Sequence, residues 1–144
     1  MTLPSPVESM KAELCALFSA TLPANLAGRL SELLGFKPSR WCKLDPWQVW
    51  HHLDHPTVSE WKGSARELLA AMKFAAHAES EVTVLRCGHE RPGLSRQRLQ
   101  DGLLGESAVF EGFVSVVPGR LGLAINHDGG WCVLSNGTRV PEAR

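Results

Sequence analysis

The chain has no tyrosine, a single isoleucine (Ile125), no net charge and no apolar run of membrane-spanning length. Each shortage excludes something. Fifteen Lys+Arg balance fifteen Asp+Glu, so the positive excess of a polybasic, histone-like DNA binder is missing, although a local basic patch is still allowed. A bilayer span needs about 18–20 consecutive apolar residues. The best run, 14–28, is shorter and holds Pro23, which predicts a protein without a membrane partner. Glu8 and Glu13 stand where a secretory leader carries its basic residues, so no signal peptide is expected. Four cysteines (Cys15, Cys42, Cys87 and Cys132) are too few and too scattered for a disulfide scaffold. The expectation is free thiols in a reducing cytoplasm. G-x-S-x-G, P-loop and dinucleotide fingerprints are absent. His89-Glu90 does not continue as H-E-x-x-H, because Gly93 occupies the place of the second histidine.

What is present is the composition of a folded domain. The chain has 144 residues, 44% hydrophobic and 21% charged, near globular averages and the usual size of one domain, here 1–144. Arginine outnumbers lysine ten to five, a bias associated with GC-rich bacterial, phage or plasmid genes.

The first half reads helical. Ser5-Pro6-Val7-Glu8 is a capping box with proline at the first helical position, and Val7, Met10, Leu14, Leu17 and Phe18 follow at helical spacing. Leu26, Leu30, Leu33 and Leu34 share a face of a second helix that stops at Gly35. A linker, 36–44, precedes Asp45-Pro46, which opens a short third helix ending near His55. Thr57-Val58-Ser59-Glu60 forms another capping box and predicts the longest helix, to about residue 78. Its apolar stripe is Trp61, Ala65, Leu68, Leu69, Met72, Ala75 and Ala76.

The second half changes period. Residues 81–87 are β-branched and read as a strand, 88–94 as a loop and 95–104 as a short helix. Strands are expected at 107–117 and 121–125, and 131–135 is expected to pair with 138–140 across Asn136-Gly137. The predicted fold class is α+β: a helical part of about four helices (about 5–79) packed on an antiparallel β-meander (about 81–141). Asn136-Gly137-Thr138 also matches a glycosylation acceptor, but a hairpin turn explains it more simply in a cytoplasmic protein.

Four groups of residues hold candidate chemistry. His51 and His55 share a helical face beside His52, but two histidines fall short of the three or four protein ligands of a zinc site. Cys87, His89, His127 and Cys132 supply a tetrahedral donor set without the usual C-x₂-C or H-x₃-H spacing. The same residues with Asp128 contain the parts of a nucleophile–base unit. The fourth group is basic and aromatic. It comprises Lys37, Arg40 and Lys43 beside Trp41; Arg86, Arg91, Arg96 and Arg98 around one loop; and Lys62, Arg66, Lys73 and His77 along the long helix. Four tryptophans (Trp41, Trp47, Trp50 and Trp61) crowd into 21 residues, too many to bury in one short segment, and indole beside guanidinium is typical of protein interfaces.

These features predict a small cytoplasmic, non-enzymatic protein of inhibitor, immunity or adaptor type. It would bind another protein through Trp41, Trp47, Arg40, Arg86, Arg91, Arg96 and Arg98. No cofactor is expected. The rival readings are a nucleic-acid-binding accessory protein using the arginine loop, and a zinc-binding or Cys/His-dependent enzyme using Cys87, His89, His127 and Cys132.

Overall fold

A computed structural model describes residues 5–88, 92–104 and 111–137. In chain order its elements are α1 (Pro6–Thr21), α2 (Ala24–Leu34), two 3₁₀ segments (Pro38–Lys43 and Pro46–His52), β1 (Val58–Trp61), α3 (Ala65–Ala71), β2 (Glu81–Arg86), β3 (Gly93–Arg98), α4 (Leu99–Leu103), β4 (Gly112–Val117), β5 (Leu121–Ile125) and β6 (Trp131–Ser135). The fold class is α+β. All six strands pair antiparallel in one sheet ordered β1-β6-β5-β4-β2-β3.

Both faces of the sheet are covered. Strand alternation sends Val58, Leu85, Phe113, Ala124, Cys132 and Leu134 to one face, where they pack against Leu14, Leu17 and Phe18 of α1, Leu26 and Leu30 of α2, and Trp41, Leu44 and Val49. Val82, Val84, Val114, Leu123 and Val133 point the other way, onto Leu68 and Met72 of α3 and Leu99 and Leu103 of α4. β4 and β5 are therefore buried on both sides and read as unbroken apolar runs. Helix α1 sits close to the sheet because Gly122 leaves room for it: a Cβ there would collide with the Leu17 side chain and the Val114 carbonyl. Phe18 meets Phe113 edge-on at 5.0 Å between ring centroids.

The capping box of α1 forms as read: Ser5 Oγ accepts from the Glu8 N–H and Glu8 accepts from the Ser5 N–H, both at 3.2 Å. The long helix does not form. Residues 58–61 are an edge strand on β6, and the helix that follows covers only Ala65–Ala71. Its cap is Ser64 with Glu67, the second S/T-x-x-E pattern within ten residues. The Thr57 hydroxyl donates instead to the Thr21 carbonyl at the end of α1, and the His55 ring lies 2.6 Å from the same hydroxyl oxygen. The stripe Leu68, Met72 and Ala76 is real, but it covers the face of the sheet opposite α1 and α2. Two further expectations change. Residues 93–98 form strand β3, leaving only Leu99–Leu103 helical. The proposed hairpin partner 138–140 lies outside the described residues, while β6 already has β5 on one edge and β1 on the other. Residues 105–110 of the expected strand 107–117 also lie outside the described residues.

Candidate functional site

The five tryptophans divide by depth. Trp41 is 1% exposed, with its Nε1–H donated to the Phe36 carbonyl at 3.1 Å and Lys11 Nζ 5.8 Å from its ring centroid. It belongs to the core, so the expectation that it contacts a partner is corrected. Trp61 is 7% exposed, donates to the Ser64 carbonyl, and pairs across strands with the half-buried Trp131. Trp47 and Trp50 are half-buried, with rings 5.4 Å apart, on the second 3₁₀ segment.

That segment is positioned from the sequence upward. Asp45 caps its start, with Oδ1 accepting from the Trp47 N–H at 3.0 Å, and Pro46 follows in the position where its missing N–H costs nothing. Val49 is fully buried and anchors the segment, turning Trp47 and Trp50 toward the sheet end. Trp47 Nε1–H donates to His127 Nδ1 at 3.0 Å, across 80 residues of sequence. Trp50 Nε1–H donates to Glu60 Oε2 on β1 at 2.8 Å. Both indoles are thus held at their polar atoms by other parts of the chain.

His127 is displayed by a rigid turn. Asn126 is 2% exposed, and its Oδ1 accepts from the Asp128 N–H at 3.0 Å and the Gly130 N–H at 2.8 Å. Gly129 sits at φ +82°, a left-handed conformation that glycine adopts without the Cβ penalty. The turn leaves His127 and Asp128 exposed, with His127 Nε2 3.5 Å from Asp128 Oδ1. The His127 and Trp47 rings meet edge-on at 5.9 Å.

Two of the arginines lie elsewhere. Arg96 and Arg98 are on β3, the far edge from β1, five strand spacings or about 24 Å across the sheet. Arg96 is 3.8 Å from both Glu13 and Glu81 and 3.5 Å from Ser9 Oγ, and Arg98 is paired with Asp101 at 3.0 Å. Arg40 stacks on Phe36 at 4.8 Å. Arg86 ends β2, half-buried, and Arg91 lies outside the described residues. Arg96 and Arg98 are therefore separated from Trp47, which bonds to the β5–β6 turn, whereas Arg86 shares the cross-strand row of Ile125 beside that turn. The other basic series breaks up as well, because Lys62 follows β1, Arg66 is in α3, and Lys73 and His77 lie beyond that helix.

The cysteine–histidine set does not assemble. The register aligns Glu60, Cys132, Ala124, Phe113, Leu85 and Leu94 in one row across all six strands. Cys87 lies two residues beyond Leu85, so it is at least three strand spacings, about 14 Å, from Cys132. Two thiolates on one zinc lie within about 4 Å of each other. His127 is engaged with Trp47 at the surface while both thiols are buried, and His89 lies outside the described residues. Burial, reinforced by Glu60, pushes the Cys132 thiol up to about 12. Cys87 is pushed up further, first by burial and then by Glu111, Asp45 and Cys42. Neither is a thiolate nucleophile near neutral pH. His51 and His55 lie on either side of the 3₁₀ segment's end at His52, and no group of three or more His, Cys, Asp or Glu side chains suited to a metal occurs among the described residues. No helix among the described residues is long and apolar enough to cross a membrane.

Tryptophan crowding pointed to the aromatic end, but nothing local in the sequence pointed to His127 and Glu60 as its supports. The His127 contact spans 80 residues of chain and the Glu60 contact 10. The fold is an α+β sheet clothed by helices on both faces, and the feature that distinguishes it is a pair of partly exposed indoles braced by a turn. No protein-family model matches this chain, and no curated protein or solved structure matches it.

Proposed function

We propose that this chain is a small, non-enzymatic binding protein of the cytoplasm, of inhibitor, immunity or adaptor type, which contacts another protein through the end bearing Trp47, Trp50 and His127. A bacterial, phage or plasmid origin fits the arginine-rich composition. One observation carries the reading: two partly exposed indoles, 5.4 Å apart, have their N–H groups fixed to side chains of the β5–β6 turn and of β1. Tryptophan is enriched among residues that dominate binding energy, and a side chain already held in place loses little entropy on docking. A nucleic-acid surface on β3 has less support, because Arg96 and Arg98 already face carboxylates of their own chain.

The test is affinity capture from cells of the native host, comparing wild type with Trp47→Ala and with the double substitution Arg96→Ala, Arg98→Ala. The expected result is a protein partner held by wild type and by the arginine variant and lost, by at least about tenfold, with Trp47→Ala. Equal recovery by all three, loss only with the arginine variant, or capture of nucleic acid alone would overturn the reading.

A further inference from the structure

We propose that the aromatic end carries a proton-operated latch, in which uptake of a proton by His127 releases the Trp47 indole. This rests on the reading above only for its consequence, since the latch is a property of the free protein. The argument starts from donors and acceptors. An indole N–H can only donate, and a neutral imidazole has one donor and one acceptor nitrogen. Trp47 Nε1–H points at His127 Nδ1 from 3.0 Å. Nδ1 must therefore be bare and the ring proton must sit on Nε2, which faces Asp128 Oδ1 at 3.5 Å.

Adding a proton fills Nδ1 and sets donor against donor. The Trp47 contact cannot survive that change, whereas the Asp128 contact becomes an ion pair. The imidazolium stays with Asp128, and the indole N–H is left to water. The other charged or titratable groups around the turn are Asp45, His51 and His52 on the 3₁₀ side, Glu60 and Lys62 at β1, Cys132 on β6, and Glu111 and Arg86 at the neighbouring strand ends, since Arg86 and Gly112 share the cross-strand row of Ile125. Asp45 is engaged with the Trp47 backbone and Glu60 with Trp50, and Asp128 is the carboxylate whose oxygen faces the ring. Asn126 fixes the turn backbone through bonds that do not involve His127. The switch therefore moves the Trp47 contact without unmaking the turn. Its effect is a docking face that is braced while His127 is neutral and loosened once the ring is protonated.

The experiment follows the Trp47 indole N–H and the His127 ring by NMR, in the free protein, from about pH 8 to about pH 5, the span in which imidazoles change charge. In wild type the indole resonance should move in step with the His127 ring. In His127→Gln, whose amide oxygen accepts but does not titrate, the indole N–H should stay fixed. In Asp128→Asn, which leaves Nδ1 and Trp47 in place, the indole should still follow the His127 ring. An indole resonance that ignores pH in wild type, or that moves equally in His127→Gln, would overturn the latch. Either result leaves the docking reading standing, since no partner enters the measurement. Conversely, a working latch with no loss of partner in Trp47→Ala overturns the docking reading alone.

Discussion

The two edges of the sheet have opposite characters. At the β1 side, Trp47 and Trp50 keep part of their rings in solvent while their polar atoms are fixed by His127 and Glu60. At the β3 side, Arg96 and Arg98 extend from an edge strand and are answered within the chain by Glu13, Glu81 and Asp101. The first edge presents apolar area whose ordering is already done, which is what a docking site needs. The second presents charge whose partners are already present, and charged side chains on an edge strand are the usual protection against unwanted strand pairing. Residue type alone would have assigned both to one surface; the register separates them.

The sharpest way to break this comparison is to remove the tryptophans one at a time. Trp41→Ala should cost about 3–5 kcal/mol of folding stability, because it empties a buried indole site. Trp47→Ala should cost well under half of that and leave the fold intact, as measured by denaturant unfolding. If the two losses were equal, Trp47 would be a core residue and its partial exposure would have no meaning for binding.

A smaller effect sharpens the account beneath the aromatic end. The Cys132 thiol, in the same cross-strand row as Glu60, is held neutral up to about 12, against an ordinary value near 9. The unfolded chain releases that proton from about pH 9 upward while the folded chain keeps it, so the unfolded state binds fewer protons there. Stability from this group is therefore complete below about pH 9 and is lost as pH rises toward about 12. Cys132→Ala should flatten that alkaline decline, read from unfolding midpoints between the two limits. A decline of unchanged steepness would show that the thiol ionises as readily in the fold as in the open chain. Native thiol labelling near pH 8 should likewise reach the half-buried Cys15 and Cys42 well before Cys87 and Cys132.

Local signals in the sequence suffice where the partner of a residue is near in the chain. The Ser5–Glu8 cap, the α1 face from Met10 to Phe18, the α2 face and the β4–β5–β6 meander follow from periods and caps within a few residues, whereas Val7, in the same apolar series, is exposed. Residues 57–61 show why the rest was hidden. Thr57 and Glu60 satisfy a helix-start pattern as well as Ser64 and Glu67 do. The free edge of β6, about 70 residues away, draws Val58–Trp61 into the sheet. Residues 93–98 lack the β-branched composition of a strand and pair only because β2 offers them an edge. The site divides in the same way. Crowded tryptophans do not share one depth: Trp41 and Trp47, six residues apart, end apart because Trp41 faces α1 and α2 while Trp47 faces the β5–β6 turn. Cys87 and Cys132 looked like paired ligands until the strand order placed β4 and β5 between them.

The central claim is that the aromatic end, and not the arginine edge, is where a partner sits. Hydroxyl-radical footprinting of the captured complex against the free protein tests it residue by residue. The account predicts protection at Trp47, Trp50 and His127, with Arg96, Arg98 and their strand unchanged. Protection along β3 with Trp47 and Trp50 still oxidised as in the free protein would contradict it.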